Sequence, residues 1–190
     1  YGSVSNFTTP ADPFTVSDGL LAFYNFDAQN CKDALGNYNG VISGGVTFSS
    51  STPKSTGYSA QFDGTTGFIN IPYHIIPSSG SWSMTMWVKT NLKSCVLFST
   101  SYNSFQLSNS KFVLNNDFYY WSYSYNVDLI SSFLNNSWHL FTLTSNGNSY
   151  KYYIDGILFE TLTLSSFLLS NDITLIGKGF YDNAAYKPKF

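Results

Sequence analysis

The sequence of 190 residues contains no arginine and only one glutamate, Glu160, so lysine and aspartate supply nearly all of its charge. Charged residues make up 11% of the chain, and the formal net charge is −2. Proteins that bind nucleic acids concentrate lysine and arginine on one surface to displace counterions. The nine lysines are scattered along the chain. This composition therefore excludes nucleic acid as the partner.

Long apolar runs are also missing, because no stretch of about 18 apolar residues occurs, the length that a membrane-spanning helix requires. Intrinsic disorder is excluded as well, since 19% of the residues are aromatic and disordered segments are poor in aromatic side chains. The chain begins at Tyr1 rather than at a methionine. This start predicts that an upstream segment has been removed.

Cysteine is scarce: Cys31 and Cys95 are the only two. They allow at most one internal disulfide bond. Two free thiols packed as small apolar side chains are an equally good interpretation. The sequence leaves both alternatives open.

Asparagine, serine, threonine and tyrosine are abundant, and two glycosylation sequons occur, Asn6-Phe7-Thr8 and Asn135-Asn136-Ser137. Sequons of this type accept N-linked glycans on surface loops of secreted proteins. Together with the low charge, they predict an extracellular protein, with Asn6 and Asn135 as candidate glycosylation sites.

The chain has the pattern of an all-β protein: short runs of β-branched, aromatic and alternating apolar residues are separated by Gly, Asn, Asp, Ser and Pro. The clearest hairpin is YYIDGILF, where Asp155-Gly156 suits a two-residue turn with positive φ angles. About a dozen such runs predict an antiparallel β-sandwich. Residues 1–17, which contain Pro10 and Pro13, are predicted to form an extended N-terminal arm that precedes one domain at 18–190.

Six motifs in order resemble the LamG-like, or concanavalin A-like, jelly-roll family. They are GLLAFYNFD (19–27), KDALGNYNGVISGGVTF (32–48), SAQFDGTTGFINIP (59–72), SWSMTMWVK (81–89), SWHLFTLTSNGNSYKYYIDG (137–156) and ITLIG (173–177). The resemblance covers roughly 19–177 and implies a two-sheet antiparallel jelly-roll β-sandwich with six or seven strands in each sheet. It also implies carbohydrate binding.

The end of the chain departs from the family pattern. The family closes with a strand resembling G-x-I-D-x-V-x-I-Y, whereas this chain ends with GKGFYDNAAYKPKF (177–190). We expect that the last strand is absent or degenerate, which would leave an unpaired sheet edge. The arm of one copy could then complete the sheet of the next copy by strand addition, giving a homopolymer. A trimmed chain, or an arm that folds back on its own domain, is the simpler alternative.

The sequence predicts no enzyme. Retaining glycoside hydrolysis requires two carboxyl groups about 5 Å apart, but Glu160 is followed by Thr161 and Leu162, and no two aspartates share a strand at alternate positions. The only histidines are His74 and His139. Both are interpreted as hydrogen-bonded structural residues, because no nucleophile and base pattern accompanies them.

A calcium site is one hypothesis for the segment DALGNYNG. Many relatives bind Ca²⁺, which prefers clusters of oxygen ligands, and Asp33, Asn37 and Asn39, with Asp27 upstream, are the candidates. The alternative is a tight turn in which Asp33 accepts backbone N–H groups. If calcium binds, it should raise the thermal stability through Asp33.

The stretch FYYWSYSY (118–125) has six aromatic residues among eight. As a strand it would place Tyr119, Trp121, Tyr123 and Tyr125 on one face. Such rings could stack on sugars, since tyrosine and tryptophan combine an apolar body with a polar edge. Burial in the core and a seam with a protein partner are the other interpretations.

The predicted function is therefore non-enzymatic recognition outside the cell, by binding a glycan or a cell-surface partner as an adhesion module. The alternative is a structural subunit of an extracellular filament, assembled by strand exchange through the arm.

Overall fold

The structure is a computed structural model that describes residues 19–77, 80–100, 103–108, 111–116, 121–124, 133–147, 149–163 and 174–178. In 103–108, 111–116 and 121–124 only the backbone is described. The arm at 1–17, including Asn6, and the chain beyond Lys178 lie outside these residues. The described strands are β1 (Val41–Ser43), β2 (Val46–Ser49), β3 (Ser59–Phe62), β4 (Phe68–Ile71), β5 (Trp82–Lys89), β6 (Cys95–Thr100), β7 (Asn103–Ser108), β8 (Lys111–Asn116), β9 (Trp121–Ser124), β10 (Trp138–Ser145), β11 (Ser149–Ile154), β12 (Ile157–Thr163) and β13 (Thr174–Ile176).

The strands form a seven-stranded sheet, a four-stranded sheet and a separate pair, with antiparallel pairing throughout. The seven-stranded sheet has the order β1-β4-β13-β6-β7-β8-β9, the four-stranded sheet β12-β11-β10-β5, and the pair is β2-β3. The predicted all-β antiparallel jelly-roll class is confirmed. Six or seven strands were predicted for each sheet. One sheet has seven strands, whereas the other has four among the described residues.

Alternation along β5 and β10 decides which side chains face the core. Trp82, Met84, Met86 and Val88 of β5 pack in the same apolar cluster as Phe141 and Leu143 of β10. The cluster also contains Leu97 and Phe98 of β6 in the other sheet, which shows that the two sheets stack. Side chains that alternate along a strand point to opposite faces. The intervening residues of β5 and β10 therefore face away from this main core.

A second apolar cluster lies between other elements. It is built from Cys31, Phe62, Ile69 and Ile71, and Tyr24, Phe26, Tyr38, Ile42, Val46, Ala60, Ile75 and Ile176 pack against it. Cys31 belongs to this cluster, whereas Cys95 belongs to the main core. Both are buried free cysteines. The structure therefore shows the free-thiol alternative and not the disulfide bond.

The segment 20–26, part of the first motif, has no strand partner among the described residues, and Phe26 has a positive φ of 60°. Its side chains alternate between half-buried and exposed, and Tyr24 and Phe26 face the second cluster. Leu21 and Phe23, on the other side, are exposed. The segment therefore shows the alternating burial of a strand, but it is not hydrogen-bonded to a partner strand among the described residues.

The predicted hairpin turn at Asp155-Gly156 is confirmed. The φ angles are 51° at Asp155 and 79° at Gly156, the left-handed values that a two-residue primed turn requires. This turn joins β11 to β12 and lies at one end of the four-stranded sheet.

Candidate functional site

The face of the four-stranded sheet that points away from the core carries aromatic and hydroxyl side chains. We call it the outer face. Its members, taken from alternation and register, are Ser83, Thr85, Trp87, Lys89, Trp138, Leu140, Thr142, Thr144, Ser149, Lys151, Tyr153, Leu158, Thr161 and Thr163. Trp87 is not among the site residues predicted from the sequence.

Strand register arranges these residues in rows. Thr142 pairs with Thr85 on one side and with Tyr153 on the other, and Tyr153 pairs with Leu158. One row therefore crosses all four strands. Trp87 pairs with Leu140 in the next row. Directly paired residues have Cβ atoms about 5 Å apart, so these side chains form one continuous surface.

Two apolar members of the outer face remain open to solvent. Trp87 is 48% exposed and Leu158 is 50% exposed. They lie on the two opposite edge strands of the sheet, with the row of Thr85, Thr142 and Tyr153 running from one edge towards the other. Trp87 combines a flat apolar ring with an indole N–H donor. The row that contains Thr85 and Thr142 lies next to it and supplies hydroxyl groups.

The charge of the outer face is weakly positive. Lys89 and Lys151 are its charged members. Glu160 belongs to the same sheet but pairs with Tyr152, whose ring lies in the main core. The outer face can therefore offer ring stacking, hydroxyl hydrogen bonds and ammonium groups, and it offers no carboxylate of its own to a ligand.

Asp155 lies at the end of this surface and its carboxylate is already engaged. His139 Nδ1 lies 2.7 Å from Asp155 Oδ2, and the backbone N–H of Leu140 donates to Asp155 Oδ1 at 2.8 Å. The hydrogen bond from His139 lowers the pKa of Asp155 below its usual value, although partial burial opposes the shift. The prediction that His139 is a hydrogen-bonded structural residue agrees with this geometry.

Asp33, the central residue of the predicted calcium site, lies in a network of backbone hydrogen bonds, and calcium binding there stays a prediction. Both carboxylate oxygens of Asp33 accept backbone hydrogen bonds: Oδ1 from Phe23 and Leu35, and Oδ2 from Asn37 and Tyr38, all at 2.8–3.1 Å. Burial alone would raise the pKa of Asp33, but these four N–H groups outweigh it and lower the pKa. An oxygen with two donors has no lone pair directed at a metal. The tight-turn alternative therefore describes Asp33.

The other proposed ligands also have contacts of their own. Asn39 Oδ1 accepts the backbone N–H of Asp33 at 3.1 Å, and the backbone N–H of Asn37 is one of the donors to Asp33. Asp27 Oδ1 instead accepts the N–H of Tyr58 at 3.2 Å. Among the described residues, no three His, Cys, Asp or Glu side chains are grouped so as to share a metal ion.

Asp63 organises a second turn in the same manner. It accepts backbone N–H groups from Thr65, Thr66 and Gly67 and the hydroxyl groups of both threonines. These hydrogen bonds, led by the one from Thr65 N–H, hold the pKa of Asp63 well below its usual range. A Cβ added at Gly45 would lie 2.1 Å from Asp63 Oδ2. The carboxylate is therefore part of the turn.

The predicted aromatic site is only partly described. Trp121 and Tyr123 lie two residues apart in β9, the edge strand of the seven-stranded sheet, where they pair with Asn116 and Leu114. Only the backbone of this strand is described, so the face on which the two rings lie stays a prediction. Tyr119 and Tyr125 lie outside the described residues. The choice between glycan site, core and partner seam stays a prediction.

The second sequon lies on the loop before β10. Asn135 is exposed, and its Oδ1 accepts the N–H of Ser137 at 2.8 Å. The same oxygen lies 3.0 Å from His139 Nε2. These contacts use the oxygen of the side chain, so the amide nitrogen that would carry a glycan is left to the solvent side. Glycosylation at Asn135 stays a prediction.

Comparison with known proteins identifies the family. Residues 63–188 match the model of the concanavalin A-like lectin/glucanases superfamily. The chain therefore belongs to this family, as the motifs had indicated. A search of curated proteins finds no match. Among the described residues, no helix is long and apolar enough to cross a membrane.

Solved structures with the same fold include two carbohydrate complexes. Domain 4 of AbnA, an extracellular arabinanase of Geobacillus stearothermophilus in complex with arabinotriose, superposes with a TM-score of 0.66 at 18% identity, over 89% of this chain and 87% of that one. The binding domain of botulinum neurotoxin DC in complex with SialylT gives 0.57 at 16% identity, over 83% of this chain and 42% of that one. At these identities the likeness shows the fold.

Proposed function

We propose that this chain is an extracellular, non-enzymatic recognition module that binds a glycan, free or carried by a cell-surface partner, on the outer face of the four-stranded sheet. The observation that supports it most is the position of Trp87. Its half-exposed side chain lies beside Leu140, and the next row across the sheet contains Thr85, Thr142 and, two strands from Trp87, Tyr153. Sugars present both apolar C–H faces and hydroxyl groups, which match these two kinds of side chain.

Three of the described carboxylates support binding rather than hydrolysis. General acid catalysis requires a carboxyl group with a raised pKa beside a second, free carboxylate. Asp33, Asp63 and Asp155 instead have lowered pKa values, and hydrogen-bond donors of the protein occupy their oxygens. The complexes of arabinotriose and SialylT with domains of the same fold support a glycan as the ligand class.

Exchange of Trp87 for alanine tests the proposal. Trp87→Ala should abolish binding on a glycan array while the unfolding temperature changes little, because the ring is not part of the core. Tyr58→Ala is the matched control, since Tyr58 is also an exposed aromatic residue but lies outside the four-stranded sheet. Thr142→Val should weaken binding as well, by removing a hydroxyl group from the middle of the surface.

The outcomes are distinct. If Trp87→Ala loses glycan binding and Tyr58→Ala keeps it, the result supports the outer face as the binding site. Undiminished binding by Trp87→Ala and Thr142→Val would move the site elsewhere, and β9 with Trp121 would be tested next. A wild-type protein that binds no glycan on the array and no glycosylated cell surface would contradict the function itself.

A further inference from the structure

One edge of the strand β5 is unpaired among the described residues. It pairs with β10 along its whole length, from Trp82 opposite Ser145 to Lys89 opposite Trp138. On its other side it has no strand partner among the described residues. An edge strand presents a row of N–H and C=O groups that another strand can bind. β5 is eight residues long, which is long for an edge, and every second residue directs its N–H and C=O away from β10.

The core beside β5 is incompletely covered. Trp82, Met84 and Met86 point towards the main core, yet all three remain only half-buried. In the neighbouring strand β10, the core-facing residues Phe141 and Leu143 have no exposed area. The difference indicates a groove along β5 that opens to solvent. A strand placed beside β5 would cover these three side chains and pair with the free backbone groups.

The features that usually protect a sheet edge are missing from β5. Protective features include proline, bulges and charged side chains directed inward. β5 contains no proline, its pairing with β10 is regular, and its single charge, Lys89, stands at the end. The opposite edge, β12, has a register shift between Tyr152 and Tyr153 of β11. Of the two edge strands of this sheet, β12 therefore has a protective feature and β5 has none among those described.

We propose that the groove along β5 receives part of residues 1–17 from a second copy of this chain as an added strand. Eighteen residues precede Gly19. Eight of them would match β5, and the other ten could span about 33 Å at 3.3 Å per residue. Residues 1–17 carry a single charge, Asp12, and include apolar and β-forming side chains such as Val4, Phe7, Phe14 and Val16. This composition suits a neutral groove lined by tryptophan and methionine.

The point of attachment favours a second copy over the same copy. The preceding residues join the domain at Gly19, and the segment that follows packs on the second cluster through Tyr24 and Phe26. The groove along β5 opens over the main core instead, beside Met84 and Met86. Each copy would then donate one segment and accept another. Because donor and acceptor surfaces differ, the contact is heterologous and propagates into a filament or closes into a ring.

The experiment compares the full chain with two variants, one lacking residues 1–17 and one carrying Phe7→Asp and Phe14→Asp. Light scattering over a concentration series and negative-stain electron microscopy report the assembly. Hydrogen exchange reports protection of the β5 amides. We expect the full chain to assemble with protected β5 amides, and both variants to be folded monomers whose β5 amides exchange faster. If the truncated chain does not fold, the variant with Phe7→Asp and Phe14→Asp still tests whether residues 1–17 are needed for assembly.

A synthetic peptide of residues 1–17 supplies the second readout. It should bind the truncated protein with one-to-one stoichiometry and shift the fluorescence of Trp82, whereas a scrambled peptide of the same composition should not. A full chain that stays monomeric at every concentration would overturn the proposal, even if the peptide binds, because the segment would then serve its own domain. Assembly that is unchanged in both variants would overturn it too. Glycan binding is a separate readout, because Trp87 faces away from this groove.

Discussion

His139 and Asp155 connect two turns at one end of the four-stranded sheet, with 2.7 Å between Nδ1 and Oδ2. The other ring nitrogen of His139 lies 3.0 Å from Asn135 Oδ1. That oxygen already accepts the N–H of Ser137, which fixes the orientation of the amide. Both ring nitrogens of His139 therefore face oxygen atoms. The imidazole links the loop before β10 to the turn after β11, next to the surface that carries Trp87.

Removal of either partner should weaken the fold modestly, and the two effects should not add. Asp155 is 46% exposed, so solvent screening limits the coupling energy between the two side chains to about 0.5 to 1 kcal/mol. Urea unfolding of His139→Ala, Asp155→Ala and the double variant would measure it. His74→Ala serves as the control for loss of a histidine. Strictly additive free energies would show that the pair contributes no coupling.

Acid should destabilise the protein through three carboxylates. The pKa values of Asp33, Asp63 and Asp155 are lowered in the folded state. A lowered pKa means that the unfolded chain binds protons first, so the stabilisation is present above the ordinary carboxyl value of about 4 and is lost as the pH falls below it. Melting temperatures measured from neutral to acidic pH should decline below that value.

The variant Asp33→Asn isolates one of these contributions. Asp33 is 4% exposed and receives four backbone N–H groups, so loss of its charge should reduce the free energy of unfolding by about 2 to 3 kcal/mol near neutral pH. Its melting temperature should also depend less on pH in the acid range. An acid profile identical to that of the wild type would show that Asp33 does not contribute.

Glycine at position 45 should be required by the Asp63 turn. An added Cβ would lie 2.1 Å from Asp63 Oδ2 and 2.8 Å from Asp63 Cβ, which forces the carboxylate out of its hydrogen bonds. Gly45→Ala should therefore lower the melting temperature more than Gly36→Ala. Gly36 has a positive φ of 82° but no atom within 4 Å of an added Cβ, so it measures backbone strain alone, about 1 to 2 kcal/mol. Equal losses would argue against the steric explanation.

Calcium should not stabilise the protein through Asp33. The four N–H donors occupy both oxygens, so a cation would have to displace them. We expect the melting temperature in excess EDTA to equal that in excess Ca²⁺. A higher melting temperature in Ca²⁺ that disappears in Asp33→Asn would restore the calcium hypothesis derived from the sequence.

The two thiols should react slowly in the folded protein. Cys31 and Cys95 are 5% and 2% exposed, and burial raises the pKa of both, that of Cys95 to about 12. Thiolate is the reactive form, so a thiol reagent should label neither residue until the chain unfolds. A reducing agent should leave the melting temperature unchanged. Rapid labelling of the native protein would show that one of these sites opens locally.

Local patterns in the sequence predicted much of the fold. Alternation along β5 separated Met84 and Met86 from Trp87, and Asp155-Gly156 predicted the β11–β12 turn, because both features depend only on neighbours along the chain. β1 and β2 were not predicted as separate strands. Each is only three or four residues long and stands among Gly and Ser, so pairing with β4 and β3 decides its conformation.

The candidate site could be predicted only in part. A strand pattern shows that Trp87 faces away from Met86, but it cannot show that Leu140 lies beside it with Thr142 in the next row, since these come from a strand far along the chain. The pattern also could not choose between a ligand and a turn at Asp33. That choice depends on where the N–H groups of Phe23, Leu35 and Tyr38 point.

The sequence by itself determined the β class, the family and the alternation of side chains along β5 and β10, because these follow from local periodicity and the order of motifs. The tertiary structure decided which strands are neighbours, and therefore which aromatic rings form a surface and which edge stays open. It also separated Cys31 from Cys95 by placing them in different clusters. Strand register and cluster membership depend on the packing of distant segments, which no local pattern contains.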